Sequence, residues 1–146
     1  MCIEDLHGLM EGLELGPAVP AAIRHQFDVA RNAFVYSWFE HELVTLAEQH
    51  SYGVVENALR DHIVAAGGDV TKLSGLKVLY EYAYASPFNP SESISLFEFV
   101  RMLRNNLAHG HTHLLPDGSP QMMRLCADIL TRLYSPRVTC GQGVQT

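Results

Sequence analysis

Long apolar runs are missing from this sequence. No stretch approaches the roughly 18 to 20 residues a bilayer-spanning helix needs, so no membrane segment and no membrane partner are expected. The start, "MCIEDLHGLMEG", carries acids where a secretory leader needs positive charge followed by an apolar run. A cytoplasmic protein is the expectation. Cysteine is scarce as well. Cys2, Cys126 and Cys140 are odd in number, scattered and without a CxxC, which excludes both a disulfide framework and a zinc ribbon. Positive charge is also short. Ten Lys and Arg face sixteen Asp and Glu, a net charge of −6, so the molecule as a whole does not attract polyanions. Any nucleic-acid contact needs a local basic patch, or two such patches brought together.

What is present is an ordinary globular composition. With 146 residues, 47% apolar and 18% charged, the chain can bury a core without disulfides or a structural metal. Helical periodicity dominates. From Pro20 to about Gln49, Ile23, Phe27, Ala30, Phe34 and Trp38 recur at helical spacing, joined by Val35, Leu43 and Leu46. Pro20 suits a first turn. After "HSYG", a second pattern, "VVENALRDHIVAA", is closed by Gly67 and Gly68, a C-terminal cap signal.

The stretch "DVTKLSGLKVLYEYAYAS" reads two ways. Tyr80, Tyr82 and Tyr84 alternate like a strand, while Leu73, Leu76, Tyr80 and Ala83 follow a helical stripe. Helix is preferred, because a lone strand has no partner. A fourth helix follows "FNP". Ser95 and Glu98 have capping-box spacing, with Ser91 and Ser93 as alternative caps. Leu96, Val100, Leu103 and Leu107 form its buried stripe, and Gly110 ends it. After the turn "LLPDGSP", a last helix, "QMMRLCADILTRLY", sets Met122, Leu125, Ile129 and Leu133 on one face. The expected architecture is an all-α, five-helix up-and-down bundle over residues 17–134. Residues 1–16 are expected to be a weakly ordered lead, and 135–146 a flexible tail.

The chemistry-bearing stretch is "RMLRNNLAHGHTHLLPDGSP", residues 101–120. Each helical residue advances about 100°, so Arg104 leaves the Leu103 and Leu107 face, and His109 lies about 140° from Arg104 on a straight helix. Either the backbone turns near Gly110, or the arginine of one molecule works with the histidine of another. His111, seven residues on, would return to nearly the Arg104 face if the helix continued.

The run "LRNNLAHG" resembles the motif of the HEPN superfamily: an arginine, Arg104, a polar residue behind it, Asn105, four intervening residues, then His109 and a glycine. The resemblance extends over roughly residues 20–134, but its specific part is these eight residues and the helix order. It implies an RNA-cleaving domain, metal-independent and without cofactor, usually a homodimer, often a toxin or defence component with an antitoxin or regulatory protein as partner. A subset of the family carries a tyrosine two residues after the histidine, modified by a partner enzyme. Here that position is His111, which puts that particular regulation in doubt.

The residue types suit the chemistry on their own account. RNA carries its own nucleophile, the 2′-OH. An imidazole titrating near neutrality can take that proton or supply one to the leaving 5′-oxygen. A guanidinium can neutralise the pentacoordinate phosphorane through two parallel hydrogen bonds. Arg104, Asn105 and His109 are therefore the expected catalytic set, with Arg101, His111 and His113 binding substrate. A two-fold axis beside this helix end would double the local cations, with Phe97, Phe99 and Met102 as apolar contacts.

Three blander readings stand beside this one. Arg104 and Asn105 are then solvated residues, and His109 a helix-end cation favoured by the macrodipole. A second alternative is a non-catalytic RNA- or protein-binding module of the same fold. In the third, His109, His111 and His113 share one face of an extended chain as zinc ligands, but no fourth ligand has a recognisable spacing. Trp38, Phe34, Phe97 and Phe99 read as core or interface residues rather than base-stacking platforms. His25, His41, His50 and His62 are assigned nothing. Glu56 and Arg60 have the spacing of a surface ion pair.

Overall fold

The computed structural model describes residues 2–84 and 118–135. Among these residues there are five helices and no strand: α1 Ile3–Glu11, α2 Ala21–Tyr36, α3 Leu43–Ala65, α4 Leu76–Ala83 and α5 Gly118–Leu133. The protein is an all-α helical bundle. The helix expected to carry Leu96, Val100, Leu103 and Leu107 lies outside the described residues, as does the tail after Ser135.

α3 is the central element. It has 23 residues, about 34 Å at 1.5 Å per residue, and it packs against α2, α4 and α5, while α1 packs on α2. Its buried stripe runs Val44, Ala47, Glu48, Ser51, Val54, Val55, Ala58, Leu59 and Ile63. Those positions keep the three- and four-residue steps of one helix face without interruption. That continuity overrules the break expected at "HSYG". Gly53 sits inside the helix with open space around it, at a loss of about 1 kcal/mol relative to alanine. Val54, Val55, Ala58 and Leu59 beside it are essentially inaccessible. Burying each larger aliphatic side chain contributes about 1.5–3 kcal/mol, so the flanking burial outweighs the glycine. Ser51 turns its hydroxyl back onto the Ala47 carbonyl at 2.8 Å, which satisfies it inside the core.

The break falls earlier, between Tyr36 and Leu43. Ile23, Phe27, Ala30 and Phe34 are buried as the spacing predicts, but Trp38 and Leu46 are about half exposed. The Ser37 hydroxyl binds the Phe34 carbonyl, and the Trp38 and Phe39 amides donate to Val35 and Tyr36 carbonyls at 3.2 and 3.0 Å. These three-residue closures tighten the end of α2 and turn the chain out of the stripe.

The lead also differs from expectation. Ile3–Glu11 is a helix, with Leu6 and Met10 buried, and Leu13, Leu15 and Val19 continue the burial up to α2. The Cys2 amide donates to the Asp5 carboxylate at 2.7 Å, one half of a capping box. Glu4 and Asp5 in the first turn suit the helix dipole. Arg31 of α2 closes the other end. Its Nε donates to the Met10 carbonyl at 2.8 Å, and its Nη1 pairs with Asp28 at 2.7 Å.

Gly67, with φ +87°, ends α3 in the left-handed region, and the Gly68 amide reaches back to the Ile63 carbonyl at 2.8 Å. This is the cap its two glycines predict. Arg60 spans the connection that follows, donating to Glu56 at 3.0 Å and to the Leu73 carbonyl at 3.1 Å. The pair is thus more than a surface ornament: it ties α3 to the approach of α4. α4 is helical, as preferred over the strand reading, and buries Leu79, Tyr80 and Ala83. α5 begins inside the expected turn, with Pro120 in its first helical turn, and buries Met122, Met123, Cys126, Ala127, Ile129, Leu130 and Leu133. Leu125, expected on that face, is only partly covered.

Candidate functional site

All six residues singled out for chemistry, Arg101, Arg104, Asn105, His109, His111 and His113, lie outside the described residues. So do Phe97, Phe99 and Met102, the expected contacts of a two-fold axis. What the structure does describe is the frame around that stretch of sequence. α4 leads into it at Tyr84 and α5 resumes the chain at Gly118, and both helices pack on α3.

The faces joining α3, α4 and α5 hold a set of polar groups. On α3, Glu48 and Ser51 are buried, with the Glu48 side chain engaged. On α5, Cys126 lies opposite. Burial pushes its thiol up to about 12, with the Glu48 carboxylate adding to the shift. A thiol so placed stays protonated at neutral pH and packs as a small apolar group, not as a nucleophile. Three tyrosines, Tyr80, Tyr84 and Tyr134, stand on α4 and just beyond the ends of α4 and α5. Tyr80 and Tyr84 place their ring centroids 4.3 Å apart. Burial raises the Tyr84 hydroxyl above the ordinary phenol range, offset by the nearby Tyr80 hydroxyl and the Arg132 charge. Tyr134, at the end of α5, is pushed up to about 12, first by burial and then by the Asp61 carboxylate. Among the described residues neither the Tyr84 nor the Tyr134 hydroxyl has a hydrogen-bond partner. Both remain neutral donors at physiological pH.

Glu48 is the polar residue that sequence reading passed over. Its signal was present: it falls four residues after Val44 and seven before Val55, inside the apolar stripe of α3. With the helix expected to stop near Gln49, that stripe was cut at this point.

The described histidines do not gather. His7, His25, His41 and His50 are exposed on separate elements, and His62 is half-buried and engaged. Among the described residues no three His, Cys, Asp or Glu side chains are placed to share a metal ion, and no helix is long and apolar enough to cross a membrane. No protein-family model matches the chain, nor does any curated protein or solved structure. What can be stated of its class is the all-α bundle.

Proposed function

We propose that this protein is a HEPN-like, metal-independent endoribonuclease that cuts RNA through attack of the 2′-OH on the adjacent phosphodiester. The observation that carries the reading is the run Arg104-Asn105-Asn106-Leu107-Ala108-His109 in a chain whose described elements are all helical. His109 removes the 2′-OH proton and protonates the leaving 5′-oxygen. Arg104 neutralises the phosphorane oxygens, and Asn105 orients the histidine. Arg101, His111 and His113 hold the flanking phosphates. The products are a 2′,3′-cyclic phosphate and a 5′-hydroxyl. Because Arg104 and His109 point about 140° apart on a straight helix, the active species is a homodimer that pairs the arginine of one chain with the histidine of the other.

The test is RNA cleavage with EDTA present. Wild type cuts single-stranded RNA and spares DNA, while Arg104→Ala and His109→Ala each abolish cutting with the helical circular-dichroism signal intact. Mixing the two inactive variants under subunit exchange restores part of the activity. Loss of cutting with chelator, or cutting that survives His109→Ala, overturns the mechanism. The net charge of −6 favours one second reading, a non-catalytic module of the same fold that binds protein. Wild type that leaves RNA intact at every concentration supports it.

A further inference from the structure

We infer that the turn between α2 and α3 is a docking surface for a basic peptide segment of another protein, one that alternates Lys or Arg with apolar side chains. Tyr36, Trp38 and Phe39 are 58%, 49% and 72% exposed. The Tyr36 and Phe39 rings already lie against each other, centroids 6.5 Å apart and tilted by 36°. Leu46, one turn into α3, is exposed as well. The backbone that presents these rings is held by the closures at Ser37, Trp38 and Phe39 and by the Leu43 amide donating to the Glu40 carbonyl at 3.0 Å. Little ordering is therefore left for binding to oppose.

Charge selects the occupant. Glu40 and Glu42 flank the rings and are exposed, and neither belongs to an ion pair among the described residues. From Asn32 to Leu59 the sequence has no Lys or Arg; of its four glutamates Glu48 is buried and Glu56 pairs with Arg60, which leaves Glu40 and Glu42 as the exposed carboxylates at the turn. A second copy docked through the same patch would bring its own Glu40 and Glu42 against these, and RNA or an anionic lipid surface would be repelled. A Lys or Arg side chain finds both an aromatic face and a carboxylate there. Apolar neighbours on the same peptide would cover the rings, the larger part of the burial.

Trp38 is the only tryptophan of the chain, so its emission reports the patch directly. The probe is a short amphipathic Lys/Leu peptide without tryptophan, with a Glu/Leu peptide as counterpart. The Lys/Leu peptide should shift Trp38 emission to the blue in a saturable way and shield it from acrylamide, and the Glu/Leu peptide should not. Phe39→Ala should weaken binding about tenfold. The pair E40Q/E42Q should weaken it several-fold and remove most of its salt dependence. A control pair on the opposite approach to α2, E11Q/E14Q, removes the same charge from exposed positions and should leave affinity unchanged. Equal weakening by the control pair would reduce the effect to net charge and overturn the proposal. So would equal binding of the Glu/Leu peptide, emission already blue in the free protein, or a blue shift produced by concentrating the protein alone.

Discussion

The segment Ile3–Leu15 and the stretch Tyr36–Leu46, the α2–α3 turn with the first turn of α3, both bring several large apolar side chains, and one is buried where the other is exposed. Leu6, Met10, Leu13 and Leu15 are each less than a tenth exposed, while Tyr36, Trp38, Phe39 and Leu46 are about half exposed or more. Residue hydrophobicity does not separate them, since the turn carries the larger aromatic area. Geometry does. Leu6 and Met10 stand four apart on one face of α1, which lies on α2 and is fastened there by Arg31. Trp38 and Phe39 are consecutive and cannot share a helical face, and they fall where α2 has already closed its last turn. An apolar stripe is buried when a neighbouring element meets it, and a turn between helices has no such neighbour of its own.

Breaking the buried side of that comparison should have the largest effect. Met10→Ala should lower unfolding stability by about 2–5 kcal/mol in denaturant melts. A loss below about 1 kcal/mol would mean that α1 frays readily and is a marginal part of the core. The tether comes next. Arg31→Leu keeps the apolar stem but strips the guanidinium from the Met10 carbonyl and from Asp28, and should destabilise by about 1–2 kcal/mol. Amide exchange should rise first in α1 and leave α3 protected. Equal exchange in α1 and α2 would show that those two helices unfold as one unit instead. The smallest effect belongs to the exposed side: Trp38→Ala should change stability by no more than about 0.5 kcal/mol, however strongly it affects peptide binding. A larger loss would mean that the turn contributes to the fold as the stripe reading assumed.

Periodicity made most of the helices legible. The Ile23, Phe27, Ala30, Phe34 stripe, the Gly67–Gly68 cap, the helical reading of α4 and, Leu125 apart, the apolar face of α5 hold. Local signals misled where they were taken as boundaries. "HSYG" reads as a break because glycine and serine are poor helix formers, yet packing of Val54, Val55, Ala58 and Leu59 on the bundle carries the helix through it. The acidic start reads as a loose lead, yet Ile3–Glu11 is helical and Leu6, Met10, Leu13 and Leu15 are buried. The proposed catalytic residues were legible only as a motif, Arg104 and Asn105 with His109, all outside the described residues. Glu48 was hidden by the misplaced boundary rather than by any absence of pattern.

The sequence by itself determined an all-α chain, since 3.6-residue periodicity and caps are local properties that each segment expresses without its neighbours. It also set the order of a residue motif suited to RNA chemistry. Which stripe is covered and which stays open was decided only by the tertiary structure. The choice of α3 as the shared partner of α2, α4 and α5 places Glu48 and Cys126 together inside the bundle. The same choice leaves Trp38 and Phe39 facing water, because burial depends on what packs across from a side chain and not on the side chain alone.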